Sequence, residues 1–360
     1  MKYNFRPCGM PLLIGSLPVD DHRTAINIVL EHTPEIPLWV QLPCHKNEGM
    51  ISQFLPGLPG LTEEDDKIFI NTSGRHFDDN LVEFYEEYIS VIEGKKEFDD
   101  SRFALSPDVA KGFFVFIEKI MGLSVKPVAV KGQITGPLTL ATSVKDQDGK
   151  AVYYNEDMRD AVVKLVAMKA RWQVRQLAKL GVPVIIFFDE PSFAGLGSSA
   201  FIGISMQEIE GFLEEVIDAV HQEGALAGIH VCSNADWSVL FESSVDIISF
   251  DAYSYFDKFI LYSDLLKDYI NSGRLIAWGI VPTSQAEDIE KASAESLAEN
   301  WKNKVGKLES LGFKLSDILA QSFITPSCGT GSLSLDNTAK VLNLAKHVSQ
   351  ILRKEISIKL

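Results

Sequence analysis

Short apolar runs recur along the chain, most of them rich in β-branched or aromatic residues, with amphipathic stretches between several of them. Read as buried strands, they fall at Leu12–Ile14, Leu38–Gln41, Val128–Lys131, Val182–Phe188, Leu226–Ile229, Ile247–Phe250, Leu275–Trp278 and Phe323–Thr325. The strongest helical pattern is Asp157–Leu180, where Ala161, Val162, Leu165, Val166, Met168, Trp172, Val174 and Leu177 recur near a 3.6-residue period until Gly181 ends it. Ser205–Glu223 opens on a capping-box pattern, Ser205-Met-Gln-Glu208, and stops at Gly224. Apolar strands joined by helical crossovers predict a parallel sheet buried on both faces, and eight of them predict an α/β fold closed into a (β/α)8 TIM barrel. Closure rests on the count alone.

The crossover between the second and third expected strands is too long for one helix. Residues 54–125 contain FLPGLPGL, an expected β-hairpin around NTSGRH, an acidic helix at Asp78–Ile92 and a second helix near Pro107–Met121. This reads as an insertion on the barrel, a lid or one wall of a cleft. No repeat, low-complexity tract or linker divides the sequence, so residues 1–360 read as one TIM-barrel domain.

Composition narrows the class. A chain of 360 residues with 46% hydrophobic and 23% charged content can bury a large core. Its net charge of −15 argues against a nucleic-acid partner, which would need clustered Lys and Arg. The longest strongly apolar run, VPVIIFF, falls far short of the roughly 20 residues that span a bilayer, so no membrane segment is expected. Cys8, Cys44, Cys232 and Cys328 are too sparse for a disulfide framework, and the N-terminus lacks a signal-peptide pattern. The expectation is a reduced, cytoplasmic protein.

A barrel should carry its functional polar residues just past the C-terminal ends of its strands. Ser16, Gln41, Gln133, Asp189, Glu190, Asp251 and Thr283 all sit at such ends, as do His230, Cys232 and Cys328. One imidazole and two thiolates form a ligand set suited to zinc, and three protein ligands leave a position for substrate. A structural zinc would show clustered CxxC ligands, whereas these halves lie far apart. His-x-Cys alone equally fits a buried histidine beside an inert thiol. Cys44 and His45 read as loop bystanders, and Cys8 and Trp278 as packed. Gly195-Leu-Gly197-Ser-Ser reads as a loop over the barrel mouth, since it lacks the lysine of a P-loop.

LIGSLP at Ile14-Gly15-Ser16, KGQITGPLTL from Gly132 to Leu140, Asp189-Glu190-Pro191, His230-x-Cys232, DIISFD and Cys328-Gly329 occur in one order. In that order the chain resembles the catalytic barrel of the cobalamin-independent methionine synthase family. The wider superfamily also holds uroporphyrinogen decarboxylases and coenzyme M methyltransferases. The resemblance implies a zinc-dependent thiol methyltransferase making methionine from homocysteine, with zinc on His230, Cys232, Cys328 and an acid at Asp251. There the family pattern has Glu, so Asp251 either ligates the metal or holds His230 from behind. It further implies that Ile14, Gly15 and Ser16 receive the substrate carboxylate and that Asp189, with Glu190 beside it, receives the ammonium.

The departures concern the methyl donor. Gly195 stands where the family has an acid that helps bind methyltetrahydrofolate, and Ser143 where it has tryptophan. Pro43 or Cys44 replaces a further acid, and WGIVPTS holds no histidine. These changes point away from folate and toward methylcobalamin or a methylated corrinoid protein as donor. A coenzyme M type methyltransferase, a uroporphyrinogen-decarboxylase-like enzyme and a zinc-stabilised scaffold without catalysis are the alternatives.

Overall fold

In a computed structural model, which describes residues 5–65, 67–196, 201 and 203–356, eight segments form regular strands. In chain order they are β1 (Leu61–Glu64), β2 (Lys67–Ile70), β3 (Val130–Thr135), β4 (Val184–Asp189), β5 (Leu226–Val231), β6 (Ile247–Phe250), β7 (Leu275–Val281) and β8 (Ser322–Pro326). β1 and β2 make a separate antiparallel pair. The other six form one parallel sheet in sequential order from β3 to β8, buried along its whole length.

Side chains in a strand alternate between faces, and here the alternation divides the core in two. Ile185 and Phe187 of β4, Leu226 of β5, Ile247 of β6, Leu275 and Ala277 of β7 and Phe323 of β8 share one apolar cluster with Met10, Leu12 and Ile36. Strands that are neighbours in sequence and yet enclose a common cluster must curl around it. The larger cluster packs the opposite face of the sheet against helices, among them Glu156–Ala178, Met206–Gln222 and Leu335–Glu355.

The first two expected strands do not form ladders. Residues 9–17 and 35–41 bridge the gap between β8 and β3 through isolated parallel pairs, Pro11 with Ile324, Ser16 with Gln41 and Leu38 with Lys131. The regular sheet therefore has six strands, not the eight of the expected barrel. Pro11 and Pro37 lie inside these segments and lack the N–H that a ladder needs.

Two further boundaries differ. The hairpin lies at 61–70, ahead of NTSGRH, which instead turns the chain into the helix Phe77–Ile92. The third expected strand begins two residues late and runs on to Thr135, because Lys131, Gln133 and Thr135 are buried and hydrogen-bonded rather than loop residues. Among the described residues no helix is long and apolar enough to cross a membrane.

Candidate metal centre

The period of two that builds the inner core also builds the site. Continuing each inner row by one step, Phe187 leads to Asp189, Leu226 through Gly228 to His230 and then Cys232, and Ile247 to Ser249. Strand register aligns them, with Asp189 paired to His230 and His230 to Ser249. Cys328 arrives from the turn after β8. The Cys232 and Cys328 sulfurs and a His230 ring nitrogen lie within 4.8 Å of one another, the only such group of metal-binding side chains among the described residues.

His230 Nδ1 lies 2.9 Å from Ser249 Oγ, while its buried Nε2 has no partner in the protein. An unbonded buried nitrogen is costly unless something else satisfies it. The neighbouring Cys328, then His230, pull the Cys232 thiol down in pKa to about 4. The same neighbour, Cys232, together with burial, pushes Cys328 far up. Two thiols and an imidazole this close together are a donor set that a soft cation would satisfy. The donor set and the orphaned Nε2 together fit zinc.

These groups open onto a cavity of about 420 Å³ whose wall also includes Ile14, Gly15, Ser16, Gln41, Glu48 and Asp189. Burial raises the Asp189 carboxyl, against the pull of His230 and Lys131, and its Oδ1 is buried without a partner. Ser16 Oγ accepts from the Gly331 N–H at 3.1 Å, and Ser16 O accepts from Thr330 N and Oγ1 at 3.1 and 3.0 Å. Gly329 is needed for this approach, since a Cβ there would lie 2.4 Å from Ser16 Oγ. The Ser16 hydroxyl proton stays free to donate into the cavity.

Other expected site residues are placed elsewhere. Glu190 is fully buried, and its oxygens accept from Leu138 N at 2.9 Å, Thr139 N at 2.8 Å and Thr139 Oγ1 at 2.6 Å. It caps the start of the helix Pro137–Ser143 and does not line the cavity. Asp251 caps the helix Ala252–Phe259, its Oδ1 accepting from Ser254 N at 2.9 Å, and stands outside the three-residue cluster. Gln133 donates to Trp39 O within β3, and Thr283 pairs with Ser327 at 2.8 Å. Cys44 and His45 face away, bonding Val19 O and Asp20 O. Ser143 is exposed, and residues 197–199 of the glycine-rich loop lie outside the described residues.

Sequence reasoning missed Glu48. It sits in the short turn Lys46–Glu48, is buried, pairs with His22 Nε2 at 2.7 Å and accepts from Leu42 N at 3.2 Å. No periodicity or strand end marks it. The only available signal was an acid shortly after an expected strand.

No family model matches the chain and no curated protein matches it. Solved structures similar to it include the following three. A B12-independent methionine synthase from Shewanella sp. W3-18-1, in complex with selenomethionine, aligns over 67% of this chain and 67% of its own at 18% identity and a TM-score of 0.47. A methyltransferase from Methanosarcina mazei aligns over 69% of this chain and 65% of its own at 14% identity and a TM-score of 0.46. ZgEngAGH5_4 in complex with a cellotriose aligns over 96% and 98% at 10% identity and a TM-score of 0.43. At such scores none of the three bears on chemistry.

Proposed function

We propose that the protein binds zinc through His230 Nε2, Cys232 Sγ and Cys328 Sγ and methylates a thiol amino acid, homocysteine, with a methylcorrinoid as donor. The observation that carries this reading is the unpartnered His230 Nε2, converging with two thiols at the wall of a cavity. Bound there, zinc would supply a substrate thiolate at neutral pH. Ser249 holds the imidazole with Nε2 turned toward the thiols.

Asp189 offers an unpartnered carboxylate oxygen to a substrate ammonium, and the Ser16 hydroxyl faces the carboxylate end. The cavity wall carries Asp189 and Glu48 but no Lys or Arg. That balance favours an ammonium-bearing thiol over the sulfonate of coenzyme M or the many carboxylates of a porphyrinogen. In the transfer, the S–CH3 bond forms as the Co–CH3 bond breaks, its electron pair staying on cobalt, and the thiol proton has already passed to solvent. A corrinoid leaving group needs no proton. Thr283, bonded to Ser327 where a proton donor would serve folate, is consistent with that.

The test is a methyl-transfer assay crossing homocysteine and coenzyme M with methyltetrahydrofolate, methylcobalamin and a methylated corrinoid protein. Methionine formation from a corrinoid donor supports the reading, while turnover with methyltetrahydrofolate and none with any corrinoid overturns the donor. Metal analysis should find near-stoichiometric zinc that falls sharply in C232S and C328S. Full zinc in both variants would overturn the centre itself.

A further inference from the structure

Beneath the cavity floor, the inner face of β3 carries a charge that the thiol chemistry does not use. Lys131 is fully buried, two residues after Ala129 of the inner apolar cluster. Its Nζ donates to the Ile14 carbonyl, lies 3.4 Å from Gln133 Oε1 and sits 4.5 Å from the centre of the Phe187 ring. Burial lowers its pKa to about 8 despite the opposing pull of the Asp189 charge. Burying an ammonium costs several kcal/mol that a methionine of similar length would not. Among apolar neighbours such as Phe187, a charge retained at this depth points to a use.

One of its partners belongs to the cavity wall and the other packs behind it. Ile14 begins the Ile14–Ser16 edge, and Gln133 backs the next residue, since a Cβ on Gly15 would lie 3.3 Å from Gln133 Cγ. Asp189 follows Phe187 by two on the inner face of β4. We propose that Lys131 is a positioning residue for the substrate, its bond to Ile14 fixing the Ile14–Ser16 edge and its charge holding the Asp189 carboxylate toward an ammonium. The inference rests on the thiol amino acid reading above.

Lys131→Met removes charge and donor while keeping side-chain length, and Lys131→Gln keeps a donor without charge. On zinc-loaded protein, calorimetry should show Lys131→Met weakening homocysteine about tenfold or more, the scale of one charge-assisted contact. It should weaken 4-mercaptobutanoate, which lacks the ammonium, by less, and leave zinc content unchanged. Amide hydrogen exchange over residues 14–17 should quicken in Lys131→Met and stay slow in Lys131→Gln, whose homocysteine affinity remains low. Unchanged affinity and unchanged exchange in a folded Lys131→Met would overturn the proposal, as would loss of zinc. If Lys131→Met does not fold, Lys131→Gln decides through homocysteine affinity alone, wild-type affinity overturning the proposal. Wild-type protein that binds neither thiol would instead overturn the substrate reading, and exchange at 14–17 would still show whether Lys131 holds that edge.

Discussion

A histidine coordinates a metal through one nitrogen only if the other is settled, and here Ser249 settles it. Ser249→Ala frees the ring to take the wrong tautomer, so zinc affinity should fall about 10- to 100-fold with the fold intact, measured by competition with a chromogenic chelator. Wild-type affinity in that variant would mean that the ring is oriented by packing alone. His230, Cys232 and Cys328 were legible in the sequence because few ordinary cores place these side chains at strand ends. Glu48 and Lys131 were not, since a lone charged residue in a turn or a strand gives no pattern until three-dimensional contacts bury it. Asp189 was legible for its position, but its missing partner was not.

The helices around the mouth depend on acids that the sequence marks as functional. Glu190→Ala would strand two backbone N–H groups and a hydroxyl at the start of Pro137–Ser143, costing about 3 kcal/mol in denaturant unfolding. Asp251→Ala should cost only about 1 kcal/mol as a lost N-cap. Its zinc content is the sharper readout, because unchanged zinc excludes direct ligation. At the opposite end of the sheet, His221 Nε2 at the end of Met206–Gln222 meets Asp246 Oδ2 ahead of β6 at 2.7 Å. The Asp246 hydrogen bond raises the His221 pKa, so its stabilisation is present below the unfolded value near 6.5 and fades as pH rises through the folded one. Wild-type and His221→Gln proteins should differ by about 1 kcal/mol near pH 6 and converge in the alkaline range. A gap that widens with pH would contradict the assignment. Sequence could nominate Glu190 and Asp251, but could not tell a cap from a ligand, because both roles select a carboxylate at a strand's end.

Across the molecule, six apolar runs became one sheet and two did not. Hydrophobic pattern located all eight, whereas ladder formation depends on backbone donors that prolines remove. Amide exchange should therefore be slowest along β4 to β7 and faster over 9–17 and 35–41, where only isolated bridges protect the backbone. Equal protection in both would show that the enclosing segments are as cooperative as the ladders.

The bonds from Ser16 to Thr330 and Gly331 join positions nearly a whole chain apart. On the ribosome, synthesis at ~5–20 residues per second leaves the Ile14–Ser16 edge waiting some tens of seconds for its counterpart. During that interval His230 and Cys232 emerge before Cys328. A nascent chain therefore holds an incomplete His230–Cys232–Cys328 cluster and an open wall until translation has nearly finished.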